Sequence, residues 1–118
     1  MKKAKYIATL AMAAALSAVA STTTSAYAAV APACGSNVCT WEGAEYRGQK
    51  ATSGGGRGVC YKDTYVLSAV VAFNATIRFY SGPRCQGYYV DKKKGAIANM
   101  EAFTSDIGGW TARSYKRV

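Results

Sequence analysis

The chain has 118 residues, with fifteen basic side chains, six acidic ones and no histidine. That length leaves room for a leader and one small domain with a single core. Without histidine there is no Ser–His–Asp or Cys–His nucleophile, and with the cysteines expected to pair the common zinc sites are excluded as well.

Met1 to Ala28 reads as a signal peptide. Lys2, Lys3 and Lys5 form its positive head, Tyr6 to Ala20 is uncharged and alanine-rich, and Ala26-Tyr27-Ala28 puts small residues where signal peptidase cuts. An apolar run of about fifteen residues is too short to span a bilayer core of about 30 Å, so no membrane span is expected. Residues 29–118 are expected to form a single secreted, extracellular domain, and the formal +9 falls to +6 once the three leader lysines are set aside.

Cys34, Cys39, Cys60 and Cys85 in an exported chain point to two disulfides. Four cysteines allow three pairings and the sequence does not choose among them. Cys34–Cys39 with Cys60–Cys85 is preferred, because Gly35-Ser36-Asn37-Val38 is a turn-forming run that lets its ends meet. The second bridge would close a loop of about 26 residues, worth about 3.5 kcal/mol in the chain-entropy model.

Short strands are then expected at Val38 to Trp41, Tyr46 to Thr52 and Val59 to Tyr61, with Leu67 to Phe73 as a fully buried fourth. Ser53-Gly54-Gly55-Gly56-Arg57-Gly58 reads as a flexible connection. A second series follows: Thr76 to Tyr80, Gly87 to Asp91, Ala96 to Ala98, and Trp110 to Tyr115. Asn99 to Phe103 has room for one helical turn.

The two series are related. Trp41 and Gly48 recur thirty-nine residues on as Tyr80 and Gly87, and Ser68 to Ala75 is echoed thirty-seven residues on by Ser105 to Ala112. An aromatic on a first strand can fold over the following hairpin, and the residue beneath it must be glycine if φ is positive there. A serine heading the fourth strand can bond the folded backbone. Trp41, Gly48, Ser68, Tyr80, Gly87 and Ser105 are therefore the expected structural residues.

These markers resemble the βγ-crystallins, and the resemblance runs from Val38 to Tyr115. It implies an all-β fold of two Greek keys, about 38–76 and about 77–118, packed as one disulfide-stabilised sandwich. The opening Ala31-Pro32-Ala33-Cys34-Gly35-Ser36-Asn37-Val38-Cys39-Thr40-Trp41 is similar to that of secreted actinobacterial peptidase inhibitors of the metalloproteinase-inhibitor type, which share this fold. That resemblance implies a non-catalytic protein occluding an extracellular protease. The inhibitors' reactive segment is associated with a second short cysteine loop late in the chain. Cys60 and Cys85 are far apart here, so no reactive-site residue carries over.

Crystallin relatives often bind calcium through two Asn/Asp residues, two variable positions, then Ser/Thr and Ser. Asp63-Thr64-Tyr65-Val66-Leu67-Ser68 and Met100-Glu101-Ala102-Phe103-Thr104-Ser105 each keep only part of that pattern. Calcium wants six to eight oxygens and gains affinity from ligand charge, so no metal and no cofactor is expected. Glu42 and Glu45 read as an exposed hairpin tip rather than a glycosidase acid/base pair. The chain is not read as an enzyme.

For a protease contact the best segment is the turn Ser81-Gly82-Pro83-Arg84: proline stiffens it, Cys85 anchors it, and Arg84 projects from it. The alternative is a killer-toxin-like antimicrobial or wall-binding module of the same fold, docking Lys92-Lys93-Lys94 on an anionic cell-wall polymer. A purely structural extracellular role is the third reading. Among the aromatics, Tyr46, Tyr88 and Tyr89 remain as candidate sugar platforms, with one of Tyr88 and Tyr89 expected to be buried by strand alternation. A nucleic-acid partner is not expected for an exported protein, and the chain is read as a monomer.

Overall fold

The computed structural model describes residues 30–62 and 64–118; the expected leader, Met1 to Ala28, and the candidate calcium ligand Asp63 lie outside the described residues. Eight short strands run in chain order: β1 Val38–Trp41, β2 Lys50–Ser53, β3 Cys60–Tyr61, β4 Ser68–Val71, β5 Ile77–Tyr80, β6 Tyr89–Lys92, β7 Gly95–Ile97 and β8 Ser114–Arg117. They form two four-stranded antiparallel sheets, ordered β2-β1-β4-β7 and β3-β8-β5-β6.

Each sheet holds three strands of one repeat and the third strand of the other. β7 pairs with β4, and β3 pairs with β8. The sequence led to two four-strand units; the structure shows two Greek keys that exchange their third strands, so each sheet needs both keys to be complete. The exchange uses both edges of the last strand of each key: β4 pairs with β1 and β7, and β8 pairs with β5 and β3.

Alternation along the strands divides the side chains. Val38, Ala69, Val71 and Ile97 from one sheet meet Ile77, Phe79 and Tyr115 from the other in the main core, joined by Val66, Met100 and Ala112. Burial of side chains such as Ile77 and Phe79, both fully covered, contributes roughly 1.5–3 kcal/mol apiece. On the outer face of the first sheet, Cys39, Trp41 and Val70 form a second cluster with Cys34, Ala31 and Tyr46. The disulfide Cys34–Cys39 ties the covering segment down, and Cys60–Cys85 joins β3 to the hairpin after β5.

Three expectations are corrected. Ser53 to Gly58 is held rather than flexible: Gly55 is buried against Phe73 and Val38, the amide of Gly56 donates to the Tyr61 hydroxyl at 2.9 Å, and the Ser53 and Tyr115 hydroxyls lie 2.7 Å apart. The strand expected from Tyr46 starts only at Lys50, because Ala44–Tyr46 is a 3-10 turn. Ser105 does not head a strand. It is exposed, at the start of the 3-10 turn Ser105–Ile107.

Ser114 takes the place that the repeat assigned to Ser105. It is fully buried at the head of β8, its Oγ accepts from the Cys85 amide at 2.7 Å, and it donates to the Gly82 carbonyl at 2.6 Å. Ser68 is its counterpart, accepting from the Tyr46 amide at 2.9 Å and donating to the Gly43 carbonyl at 2.7 Å. Trp41 and Tyr80 are thirty-nine residues apart but Ser68 and Ser114 are forty-six apart. The extra residues belong to the helical turn α1, Met100–Phe103, and the 3-10 turn after it. Asn99 caps α1 through its side-chain oxygen, and the buried Thr104 hydroxyl donates to the Met100 carbonyl and accepts from the Trp110 amide.

Removing either hydroxyl strands one buried amide and one carbonyl, each worth roughly 1–3 kcal/mol. Urea unfolding should show Ser68→Ala and Ser114→Ala each destabilised by about 2–4 kcal/mol, with Ser105→Ala within about 0.5 kcal/mol of the parent. A large loss at Ser105 with none at Ser114 would restore the shorter repeat.

Candidate functional site: the clamped hairpin after β5

The turn that follows β5 is folded back on itself. The amide of Ser81 donates to the Tyr88 carbonyl at 2.8 Å, that of Gly82 to the Gln86 carbonyl at 2.9 Å, and that of Tyr88 to Ser81 Oγ at 3.0 Å. Cys85 sits in the left-handed region at φ 55°, with its amide held by Ser114 and its sulfur bonded to Cys60. Gly87 has φ 95°, and a Cβ there would lie 2.6 Å from Ser81 Oγ. No L side chain fits that position without strain.

The first hairpin repeats these bonds. Glu42 donates to Gln49 at 3.1 Å and Gly43 to Arg47 at 2.8 Å, both backbone to backbone; Tyr46 is left-handed at φ 60°, and Gly48 has φ 85°. The difference lies in the left-handed residues. The first hairpin has two, Glu45 at φ 58° and Tyr46, whose ring meets Trp41 edge-on at 5.2 Å; burial, with the Glu45 charge beside it, raises the Tyr46 pKa. In the second hairpin it is Cys85, bonded covalently to the other key. Tyr80 is nonetheless buried, with Tyr89 6.0 Å away.

Pro83 and Arg84 form the exposed tip of this second hairpin, and Ser81 and Gly82 are half-buried beneath it. The structure thus brings Ser81, Gly82, Pro83 and Arg84 together on a backbone fixed by hydrogen bonds, by Ser114 and by a disulfide. Beside the tip, Tyr88 and Tyr89 are 68% and 49% exposed, so neither is buried as alternation had suggested. Tyr88 precedes β6 and belongs to the hairpin, while Tyr89 stands on the outer face of the second sheet. The Arg78 guanidinium lies 4.0 Å from the Tyr89 ring centre and forms a two-point ion pair with Asp91 at 2.8 and 3.1 Å. The Asp91 hydrogen bond raises the Arg78 pKa still further above its ordinary value.

The three consecutive lysines divide. Lys92 Nζ stands 5.8 Å from the Phe103 ring centre, whereas Lys93 and Lys94 line a groove of about 280 Å³ with Asn74, Ala75 and Thr76 from the connection between the keys. Asn74 and Thr76 were not singled out by the sequence reading. They belong to an unremarkable linker, and only the fold places it against the lysine turn.

Several residues of the partial calcium patterns are already spent on the fold. The Ser68 and Thr104 hydroxyls are fully buried and engaged in hydrogen bonds, Met100 is buried in the core, and Glu101 accepts from Thr111 at 3.3 Å. Among the described residues no three His, Cys, Asp or Glu side chains gather as a metal site, and no helix among them is long and apolar enough to cross a membrane.

No protein-family model and no curated protein matches the sequence. Among solved structures the chain is similar to a βγ-crystallin from an archaeon, with a TM-score of 0.53 and 22% identity over 70% of this chain and 96% of that one. It is also similar to IPSE/alpha-1 from Schistosoma mansoni eggs, with a TM-score of 0.51 and 16% identity over 71% of this chain and 86% of that one. Identities this low speak to fold alone. The fold is βγ-crystallin-like: all-β, two Greek keys in one sandwich, with two disulfides.

Replacing Cys60 and Cys85 together by serine should lower unfolding stability by about 3.5 kcal/mol, the cost of releasing a loop of this length. It should also speed hydrogen exchange at the Gly82 and Cys85 amides. Unchanged exchange there would mean that Ser114 alone holds the hairpin.

Proposed function

We propose that the protein is a secreted, non-catalytic inhibitor that occludes an extracellular protease, with its contact centred on Ser81, Gly82, Pro83 and Arg84. One observation carries this reading: Arg84 is exposed on a turn whose backbone is fixed on both sides. A binding segment that is already ordered avoids the entropic cost that weakens a flexible one. Arg84 adds a long cation suited to an acidic subsite.

The shape of the turn bears on the mode of inhibition. The Gly82–Gln86 hydrogen bond curls the segment, and Cys85 is left-handed, so the Arg84–Cys85 peptide is not offered as an extended strand. The protein therefore blocks access to a protease rather than imitating its substrate. Absence of histidine, with all four cysteines in disulfides, supports a role without nucleophilic catalysis of its own.

A second reading is favoured by the groove of Lys93, Lys94, Asn74 and Thr76, which suits an anionic cell-wall polymer. Two lysines, an asparagine and a threonine lining one groove offer the cations and hydrogen-bonding groups that repeated phosphate or carboxylate groups need. The killer-toxin-like antimicrobial alternative would rest on the same groove.

Assay of the purified protein against metallo-, serine and cysteine proteases should find one that it inhibits. Arg84→Ala should weaken that inhibition about tenfold or more, equivalent to roughly 1.4 kcal/mol, while Lys93→Ala with Lys94→Ala leaves it unchanged. Inhibition of no class, or indifference to Arg84, would end this reading.

The polymer reading makes the opposite prediction. Sedimentation with isolated cell walls should fall in the double lysine variant and in moderate salt, since exposed charges are screened beyond about 8–10 Å. Binding that survives both would rule it out.

A further inference from the structure

An open cleft of about 390 Å³, separate from the hairpin tip and the lysine groove, lies between β1–β2 and the segment ahead of β4. Thr40, Glu42 and Gln49 line it from the first hairpin, and Thr64, Tyr65 and Arg113 from the other side. Its size is near the lower end of the roughly 300–1,000 Å³ usual for small-ligand sites.

Two features make it more than a surface fold. Thr64 Oγ1 is buried yet finds no hydrogen-bond partner among the described residues. An orphaned buried hydroxyl calls for a water or a ligand. It is also held in place: the Thr64 amide donates to the Arg113 carbonyl at 3.1 Å, and Val66 and Ala112 exchange bonds of 2.8 and 3.1 Å. The second feature is Tyr65, 51% exposed and lining the same cleft. Its ring offers an apolar face that the sequence reading overlooked in favour of other tyrosines.

We propose that this cleft is a carbohydrate subsite that takes one or two rings of a neutral glycan. Threonine hydroxyls both donate and accept, as sugar hydroxyls do. The planar carboxylate of Glu42, amide of Gln49 and guanidinium of Arg113 can each address a pair of neighbouring hydroxyls, and Tyr65 can cover the C–H face of a ring. Among the described lining residues Glu42 and Arg113 offset one another, so these give no excess positive charge to favour a polyanion. A small zwitterion would use Glu42 and Arg113 but leave the Thr64 hydroxyl and the Tyr65 ring without a role.

The test is an amide NMR titration of the purified protein with cellotriose and with triacetylchitotriose, using glycylglycine as the zwitterion control. One of the sugars should give saturable shifts at residues 64, 65 and 113, with a Kd of the order of 1 mM, about −4 kcal/mol. Tyr65→Ala and Thr64→Val should each weaken it about tenfold or more. Thr64→Val should leave the melting temperature unchanged or higher, because it removes a hydroxyl that has no partner among the described residues. No saturable shift with either sugar, equal affinity for glycylglycine, undiminished binding by Thr64→Val, or a lowered melting temperature in that variant would each overturn the proposal. Arg84 and the lysines of the groove take no part, so this outcome is independent of protease inhibition.

Discussion

A buried hydroxyl beneath each folded hairpin is the interaction on which both keys depend. Tyr46 and Cys85 adopt left-handed backbone that costs a side-chain-bearing residue of order 1–3 kcal/mol. Their amides point away from the hairpin's own ladder and into the sandwich. Ser68 and Ser114 accept those amides and donate to the carbonyls of Gly43 and Gly82, so one oxygen satisfies both groups. Alanine at the same place would fill a similar volume and satisfy neither.

This clamp also couples the hairpins to the core. Ser68 begins β4 and Ser114 begins β8, the strands that accept the third strand of the opposite key. Each hairpin is thus fixed to the strand through which the two keys are joined. Cys60–Cys85 adds a covalent tie between β3, the exchanged strand, and the hairpin that Ser114 holds. Local turn geometry and long-range pairing therefore support one another at the same residues, which is what a cooperative small domain needs.

Sequence patterns made part of this legible. The spacings Trp41–Gly48 and Tyr80–Gly87 reflect hairpins of equal length that share their paired backbone bonds and a left-handed glycine. The serine spacing misled for the opposite reason. Helical turn α1 and its 3-10 continuation lengthen the second key, and Ser105 within that insertion happened to match in type. Nothing local distinguishes a clamping serine from one that starts a 3-10 turn; burial does, and burial is a tertiary property. The same holds for the sites. Arg84 is visible because a proline and a cysteine flank it in sequence. Thr64, Tyr65 and Arg113 come together only when residues on either side of the core are folded, so no spacing announces their cleft.

The two keys share a scaffold but not their exposed faces. On the first sheet, the segment from Ala31 and its disulfide contribute to the cluster with Cys39, Trp41 and Val70, and Tyr46 packs on the tryptophan from the hairpin. On the second sheet the position equivalent to Tyr46 is spent on a disulfide, and Tyr89 stands half-exposed near the hairpin. Arg78 on this face is engaged by the Asp91 carboxylate and the Tyr89 ring, an arrangement that fixes it without contributing much stability at an exposed position. Arg84 is carried by the hairpin instead, above a backbone that cannot yield. A mobile tip would lose to ordering what it gained in any contact, whereas this one is already held by Ser114 and by the disulfide. The substitution of Cys85 for an aromatic thus replaces packing with a covalent anchor, so a disulfide fixes the second hairpin where ring contacts hold the first.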